Sequence, residues 1–553
     1  MITRFLAAAL VTILLLPAAA TAAAPTHLWS DLYGNVNDQY GQAVAIDGAG
    51  NVLVAGTFWG SIDLGGGVLT SAGLTDVFLA KFDPAGAHLW SVRFGDTNFQ
   101  TAASVTVDVS GRVAFAGNFR GTVDFGGGNL TSTGASDIFV VVFDAAGAHQ
   151  WSRRFGAAAS DYGNGVAFDA AGNVLLTGSY VGTVDFGGGD LTGAGGQDVF
   201  VASFDAAGAH RWSRRFGDFD HQNAWGVSVD PAGRVGVGGV LAGSADFGGG
   251  DLVSAGGTDA FVAVFDSLGG HEWSARFGDA ADQACFSVAM DAAHHTWASG
   301  AFAGSMDLGG GPLTSAGATD VFAAKFDSLG VHQFGARFGD AAAQTGYAVA
   351  LDGAGNAFLT GKFSGAIDFG GPLLTSAGGE DIFVAALSAT GAYRWSGRFG
   401  DTGNDGGYWI AARSNGDFAL TGFSRGTVDF GGGALTGAGG ADAVLAVFSA
   451  VPSAVGTPLA APGLSLAVYP NPFNPSTTVG FTLPEAGPVT VEIFDSRGGR
   501  VTTLIDREER PSGATTVAWN GTDEGGNTVS SGVYFARVSH ASATGTHKMV
   551  LIK

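Results

Sequence analysis

The amino-acid sequence predicts an all-β protein, a seven-bladed β-propeller with four strands per blade followed by a small β-sandwich. One observation is a period of 61 residues, repeated seven times without insertion or deletion, as in repeat architectures. Another is that each period holds strand-like runs bounded by turn residues. A third is a strand-like run that stands alone before the first complete period. One position, filled once by phenylalanine, marks the period: Trp29, Trp90, Trp151, Trp212, Trp273, Phe334 and Trp395.

The first complete period contains four runs: QAVAID (42–47), NVLVAGTF (51–58), DVFLAKF (76–82) and HLWSVRF (88–94). D-G-A-G joins the first pair and D-P-A-G joins the last pair. Both sequences predict tight turns, because aspartate bonds its own backbone and glycine takes the positive-φ position. No apolar stripe with a period of 3.6 residues occurs, so the repeats are predicted to contain strands only.

The strands are apolar on both faces, which favours propeller blades. In the third run one face carries Phe78, Ala80 and Phe82, and the other carries Val77, Leu79 and Lys81. A blade that packs between two neighbours needs both faces dry, whereas an open sheet would keep one polar face. The main alternative is a parallel β-helix, whose rungs are shorter and less even than these periods.

The isolated run HLWSDLY at residues 27–33 supplies the strand that the seventh period lacks. After Phe448 that period holds Pro452 and Gly456, where the turn glycine and the marker tryptophan are expected. We therefore predict that residues 27–33 pair with residues 442–448 and close the ring. This pairing would leave no free outer edge on the last blade. Residues 25–451 are predicted to form the propeller.

The repeat resembles the seven-bladed propeller repeats of many exported bacterial proteins, built on D-x-x-G-N followed by D-x-F-V-A-K. Residues 47–51 (DGAGN) and 76–81 (DVFLAK) carry the resemblance. It implies a fold and no particular activity. Two blades depart from the pattern, because His294 stands at a turn glycine position and Arg413 replaces a turn aspartate, so these two turns are expected to be irregular.

Residues 1–24 are predicted to be an export signal peptide, with Arg4, a short apolar run and a small-residue cleavage region. A membrane anchor would need about 20 apolar residues without that small-residue end. No later stretch is long enough, so no transmembrane segment is expected after signal removal.

The net charge of −23 argues against nucleic acid as a partner. Cys285, the one cysteine, lies in an apolar run and is predicted to be buried and inert.

Residues 452–466 are rich in proline, alanine and glycine and are predicted to be a linker. Residues 467–553 show short alternating runs separated by turn residues, typical of a small sandwich. Motifs such as YPNPFNPSTT (469–478) and WNGTDEGGN (519–527) resemble the C-terminal sorting domain of type IX secretion cargo. That domain is an immunoglobulin-like fold related to flagellar hook-capping proteins. The resemblance implies recognition by an outer-membrane secretion machine, whereas the alternative is an ordinary structural module.

Two repeated residue types are candidate metal ligands. Equivalent histidines of different blades lie far apart around the disc, so a packing role is favoured over a metal site. The aspartates that open each D-[FL]-G-G run, such as Asp63, have the oxygens that calcium prefers. The second, regularly spaced aspartate of calcium-binding nonapeptide repeats is absent, so turn capping is favoured and no cofactor is predicted. The histidine positions are His27, His88, His149, His210, His271 and His332, with Tyr393 in the last outer strand.

A third repeated position precedes the inner strand of each blade and is the predicted binding site. Inner strands line the central channel, so these amides and acids should gather at one of its mouths. They would bind a ligand or ordered water there, or else brace each loop against its neighbour. The predicted site residues are Gln39, Gln100, Asp161, Gln222, Gln283, Gln344 and Asp405.

No G-x-S-x-G, H-E-x-x-H or Walker motif occurs, and the loops are equal in length in every blade. The sequence therefore predicts a secreted or cell-surface, non-catalytic binding or structural module with a glycan or protein ligand. The alternative is a secreted hydrolase or lyase that uses Asp218, Asp220 and His221 near the channel mouth.

Overall fold

A computed structural model describes residues 24–449, 465–469, 471, 473–483, 486–495, 498–540 and 543–552. The predicted signal peptide, except for its last residue, and most of the predicted linker lie outside these residues. The chain forms two compact units, which divide after Pro452. No helix long and apolar enough to cross a bilayer is found in the described segments.

The first unit contains seven four-stranded antiparallel sheets, here called blades one to seven. Their inner strands are Gln39–Ile46, Gln100–Val107, Tyr162–Phe168, Gln222–Val229, Gln283–Met290, Gln344–Leu351 and Asp405–Ala412. The second strands are Val52–Asp63, Val113–Phe119, Val174–Tyr180, Val235–Leu241, Thr296–Phe302, Ala357–Phe363 and Phe418–Ser424. The third strands are Val68–Phe82, Asp137–Phe143, Asp198–Phe204, Asp259–Phe265, Asp320–Phe326, Asp381–Leu387 and Asp442–Phe448. The outer strands of blades one to six are His88–Phe94, His149–Phe155, His210–Phe216, His271–Phe277, His332–Phe338 and Tyr393–Phe399.

Short hairpins extend the link between the second and third strands. In blade one they are continuous with these two strands, whereas in the other blades they form separate two-stranded sheets. The pairs are Thr122–Asp124 with Asn129–Thr131, Thr183–Asp185 with Asp190–Thr192, Ser244–Asp246 with Asp251–Val253, Ser305–Asp307 with Pro312–Thr314, Ala366–Ile367 with Leu374–Thr375, and Thr427–Val428 with Leu435–Thr436.

His27–Tyr33 is the outer strand of blade seven, as predicted. It pairs antiparallel with Asp442–Phe448, with Trp29 opposite Val447 and Tyr33 opposite Ala443. The Trp29 indole donates a hydrogen bond to the carbonyl oxygen of Pro84 in blade one, 3.2 Å away. The beginning and end of the propeller sequence thus share one sheet, which closes the ring of seven blades.

The hydrophobic core lies between neighbouring blades. The third strands of blades two to seven are buried along their whole length, because each face packs on an adjacent sheet. One cluster joins Leu79 of blade one with Phe115 and Phe139 of blade two. The Phe94 and Phe143 rings stack across the same boundary, with centroids 5.6 Å apart. Each such side chain contributes roughly 1.5–3 kcal/mol when fully buried.

The two turns whose sequences depart from the repeat pattern keep the backbone hydrogen bond that the equivalent turns of the other blades make. His294 adopts φ 66°, and its amide donates to the carbonyl oxygen of Asp291. Its ring Nδ1 lies 2.6 Å from Oδ2 of the buried Asp230. In the other turn the Gly416 amide donates to the carbonyl oxygen of Arg413, so the prediction of irregular turns was wrong.

A buried carboxylate begins the third strand of blades two to seven, and Asp76 is its equivalent within the longer third strand of blade one. An arginine of the outer strand pairs with this carboxylate in blades one to six. Arg215 Nη1, for example, lies 2.7 Å from Asp198 Oδ1. Blade seven differs, because Leu32 occupies the arginine position of its outer strand. Asp442 is buried there, no cation of the described residues pairs with it, and burial raises its pKa. The ion pairs are Arg93–Asp76, Arg154–Asp137, Arg215–Asp198, Arg276–Asp259, Arg337–Asp320 and Arg398–Asp381.

The second unit is a sandwich of two antiparallel sheets. Its core includes Val479, Ile493, Trp519, Ala536 and Met549, all nearly inaccessible to solvent. The alternation of buried and exposed residues along its strands is that of a small sandwich with one wet face per sheet. The strands are Ser465–Tyr469, Thr477–Leu483 and Gly513–Trp519 in one sheet, and Gly487–Asp495, Arg500–Arg510, Gly532–His540 and Ala543–Leu551 in the other.

Candidate binding site at one mouth of the channel

The inner strands surround a central channel. Side chains from six of them enclose a cavity of about 320 Å³ between its two ends. The turns between inner and second strands surround one mouth, which holds about 960 Å³, and we call it the turn mouth. Residues near the start of six inner strands surround the other, which holds about 500 Å³, and we call it the strand mouth.

The seven predicted site residues lie next to the strand mouth, but their side chains are fully buried. Gln100 is typical, because its Nε2 donates to Asp96 Oδ1 at 2.8 Å and to the Arg120 carbonyl oxygen at 3.0 Å. Gln222, Gln283 and Gln344 make the same two kinds of hydrogen bond. These contacts brace the loop that precedes each inner strand, and a binding role for the set stays a prediction.

Two of the seven residues are carboxylates, Asp161 and Asp405, and burial raises the pKa of both. Blade three also lacks the aspartate that partners glutamine in blades two, four, five and six. Ala157 occupies that position, and its amide donates to Asp161 Oδ2 at 2.8 Å. The Val181 amide donates to the other carboxylate oxygen at 3.1 Å. Burial still raises the pKa of Asp161 to about 6, so a charge is held in the dry interior at neutral pH.

We expect the double substitution Ala157→Asp with Asp161→Gln, which restores the pair of blades two, four, five and six, to stabilise the protein at neutral pH. The pKa of Asp161 is higher in the folded chain than in the unfolded chain, so Asp161 favours folding at low pH. This stabilisation is lost as the pH rises from about 4 to 6. One pH unit of pKa difference corresponds to about 1.4 kcal/mol, and we expect a gain of about 1 to 2 kcal/mol at pH 7.5.

Urea unfolding at pH 7.5 and pH 4 measures this effect. The gain should shrink at pH 4, where Asp161 is largely protonated in the folded chain. Asp190→Gln, at an exposed position of the same blade, is the control and should change little. An equal gain at both pH values would contradict the electrostatic explanation.

Every inner strand has a bulge, and six of the seven bulge residues line the strand mouth, the exception being Asn164 of blade three. In blade one, Gly41 pairs with Gly56 and Ala43 pairs with Ala55, so Gln42 is the extra residue. Bulges re-aim side chains and are common beside functional sites. The equivalent residues are half-buried in all blades, and they are Gln42, Ala103, Asn164, Trp225, Phe286, Tyr347 and Tyr408.

These bulge residues differ between the two halves of the ring. Blades four to seven carry Trp225, Phe286, Tyr347 and Tyr408, whereas blades one to three carry glutamine, alanine and asparagine. The rings contact one another in sequence, with centroid distances of 4.8, 5.6 and 5.4 Å. Tyr40 of blade one extends the row, with its centroid 6.3 Å from that of Tyr408. We call these five residues the aromatic arc.

Sequence reasoning missed the aromatic arc. Strict strand alternation would not single out Trp225 and its equivalents, because a bulge changes which residue faces the channel. A usable signal was present, since this position changes from polar or small to aromatic between blades. That change stands out against the near-identical turns and third strands.

The repeated histidines and turn aspartates pack locally. His88 Nε2 lies 3.0 Å from Ser91 Oγ. Its ring covers Gly66, where a Cβ atom would lie only 2.2 Å from the imidazole, which explains the invariant glycine of this loop. Asp124 Oδ1 accepts hydrogen bonds from the amides of Gly126 and Gly128, and so caps its own turn. Among the described residues, no cluster of three or more histidine, cysteine or acidic side chains suits a metal ion.

The polar cluster around His221 is also engaged in loop contacts. Asp218 Oδ2 accepts hydrogen bonds from the amide and hydroxyl of Ser244, at 2.7 and 2.9 Å. His221 Nδ1 accepts one from the Gln197 amide at 3.3 Å. Backbone hydrogen bonds hold the pKa of Asp218 below its usual value in spite of partial burial, which suits a structural anion better than a general acid.

The turn mouth is the larger opening, but its carboxylates already have cationic or amide partners. Asp108 lies 2.7 Å from Arg112, and Asp291 lies 2.8 Å from His295. Asp352 Oδ2 accepts a hydrogen bond from the Asn356 side chain at 2.7 Å. These contacts stabilise the turns, so the strand mouth is the better candidate site.

Two family matches agree with these two units. Residues 150–179 match the Beta-propeller repeat family, and residues 472–544 match the FlgD Ig-like domain family. An uncharacterized WD repeat-containing protein of Acanthamoeba polyphaga mimivirus is 26% identical over 223 residues, which cover 34% of this chain and 16% of that protein. The regulatory protein FlaEY of Caulobacter vibrioides is 28% identical over 166 residues, which cover 29% of this chain and 17% of that protein. The chain thus spans less than a fifth of the length of these relatives.

Solved structures with low overall similarity include PorZ, a surface component of the type IX secretion system of Porphyromonas gingivalis. It is 12% identical, with a TM-score of 0.30, over 93% of this chain and 81% of PorZ. A puromycin hydrolase is also 12% identical, with a TM-score of 0.39, over 84% of this chain and 62% of that chain. The fold itself and the two family matches lead to one conclusion: the chain is a seven-bladed β-propeller followed by an immunoglobulin-like domain of the FlgD type.

Proposed function

We propose that the protein is an exported, non-catalytic binding module whose ligand enters the strand mouth of the propeller. The observation that carries the proposal is the aromatic arc, where near-identical repeats present different side chains to one cavity. A purely structural ring has no need for this difference, whereas a ligand without sevenfold symmetry requires it. The pocket volume of about 500 Å³ is within the range of small-molecule sites.

The C-terminal domain is proposed to direct the protein to the cell surface or medium through an outer-membrane secretion machine. The FlgD-type match and the motifs resembling type IX sorting domains support this role. Deletion of residues 465–553 in a host with a type IX apparatus should leave the propeller in the periplasm. Secretion of the truncated chain at the normal level would refute the sorting role.

The binding role is tested by probing arrays of glycans and peptides with the full chain and with a triple variant. Trp225→Asn, Phe286→Ala and Tyr347→Gln place in blades four to six the residue types that blades one to three already accommodate. We expect the full chain to bind at least one class of polymer and the variant to lose that binding while keeping its thermal transition. Equal binding by both proteins would overturn the proposal.

The alternative, a hydrolase or lyase at His221, is tested with the same polymers as substrates. We expect no turnover by the full chain. Turnover that His221→Ala abolishes, with folding retained, would establish the enzyme and refute the non-catalytic role.

A further inference from the structure

The side of the cavity opposite the aromatic arc is lined by one amide and by small residues, namely Gln42, Ala102 and Ala103. Gln42 Oε1 accepts a hydrogen bond from the Thr57 hydroxyl, which fixes the orientation of the amide. Within the described residues, Nε2 of Gln42 makes no hydrogen bond. The cavity therefore has an aromatic side and a side with one free donor.

The charged groups around the arc are already paired. Lys362 Nζ lies 2.9 Å from Glu380 Oε2. Arg425 Nη2 lies 3.3 Å from the Asp38 carboxylate and donates to the Tyr40 hydroxyl at 3.0 Å. Burial raises the pKa values of the Tyr347 and Tyr408 phenols, so both are neutral at physiological pH. Among the described residues, the arc thus offers no unpaired charge to a ligand.

A complementary ligand must be uncharged, present apolar faces to aromatic rings, and carry an oxygen that accepts a hydrogen bond from Gln42. Sugar rings meet all three conditions, because their C–H faces are apolar and their edges carry hydroxyls. A peptide fits less well, since its backbone needs donors and acceptors in a line and the arc supplies ring surfaces. An anionic polymer would need a cation that the arc does not provide.

We propose that the strand mouth binds a neutral saccharide, the aromatic arc packing on its sugar rings and Gln42 donating a hydrogen bond to one of its hydroxyls. This inference rests on the proposed binding function and names its ligand class. Each arc ring is only half-buried, so part of its surface is available to the sugar. The arc extends over several blades, which favours oligosaccharides over single sugars.

Isothermal titration of the full chain with neutral oligosaccharides tests the proposal, with cello-, xylo-, manno- and malto-oligosaccharides as probes. We expect at least one to bind and to change the tryptophan fluorescence, because Trp225 lies in the arc. Trp225→Asn and Tyr347→Gln should each raise Kd at least tenfold, which corresponds to about 1.4 kcal/mol. Asparagine and glutamine occupy this position in blades three and one, as Asn164 and Gln42, so both variants should fold.

One further variant separates binding from folding. Phe219→Ala removes an aromatic side chain that is 79% exposed and outside the cavity lining, and Kd should not change. Loss of binding in this control as well would refute a specific role for the arc.

The remaining outcomes distinguish this inference from the proposed function. Binding of peptides or anionic polymers, lost in the arc variants, would refute the saccharide class and keep the binding site. If no probe class depends on the arc, both the inference and the proposed function are wrong.

Discussion

A chain that begins at residue 34 instead of residue 25 should lose most of its folding stability. It lacks the outer strand of blade seven, whose six residue pairs with the third strand include Trp29–Val447 and Tyr33–Ala443. Tyr33 is only 7% exposed and would no longer cover Phe82 of blade one. Lost hydrogen bonds of about 1 kcal/mol each and lost apolar burial sum to roughly 5 kcal/mol or more. That loss is comparable with the whole stability of many domains.

Thermal unfolding and size-exclusion chromatography measure this loss. The truncated chain also exposes the edge of residues 442–448, an apolar strand, so we expect it to aggregate. Addition of a synthetic peptide of residues 25–34 should partly restore the transition, whereas a scrambled peptide should not. A truncated chain that stays monomeric and unfolds at the parent temperature would contradict closure by this strand.

Arg215→Leu should lower the unfolding free energy by about 2 to 3 kcal/mol at neutral pH. Asp198 is fully buried, and Arg215 is its one ion-pair partner within the described residues. Removing one partner of such a pair leaves an uncompensated charge, which typically costs 3–5 kcal/mol, and we expect less here because Arg215 is 29% exposed. Burial already raises the pKa of Asp198, so the loss should shrink as the pH falls and the carboxyl takes up a proton.

Denaturant unfolding at pH 7.5 and pH 4 provides the measurement. Arg214→Leu is the matched control, because Arg214 lies next in the same strand but is exposed and pairs with no carboxylate in the described part of the chain. The reciprocal substitution Leu32→Arg offers Asp442 the partner it lacks, and we expect a gain of about 1 kcal/mol. Equal losses for Arg214→Leu and Arg215→Leu would refute a role for the buried pair.

The period of the sequence was sufficient to predict the fold. Equal spacing of the marker tryptophan predicted the blades, and the absence of a fourth strand after Phe448 predicted that His27–Tyr33 would supply it. The short outer hairpins were not predicted, because a run such as Thr122–Asp124 is too short for any alternation to be seen. The turn at His294 was expected to be irregular, but it keeps the backbone hydrogen bond to Asp291, and its ring contacts Asp230 of the neighbouring blade, 64 residues earlier in the sequence.

The candidate site was less accessible to sequence reasoning. The position of Gln100 at the start of an inner strand predicted its place near a mouth, but alternation does not reveal that its amide turns back onto Asp96. The aromatic arc depends on a bulge, which is a two-against-one mismatch between strands that a single run of residues does not disclose. Contacts such as Trp225–Phe286 join neighbouring blades and become visible only when the ring is assembled.

Hydrogen exchange of the intact protein is the most direct test of ring closure, on which the channel and both of its mouths depend. We predict that the amides of residues 27–33 that bond to the third strand exchange as slowly as those of the outer strands His149–Phe155 and His210–Phe216. Exchange of the whole segment within seconds, as in a free N-terminal tail, would contradict the closed seven-bladed ring.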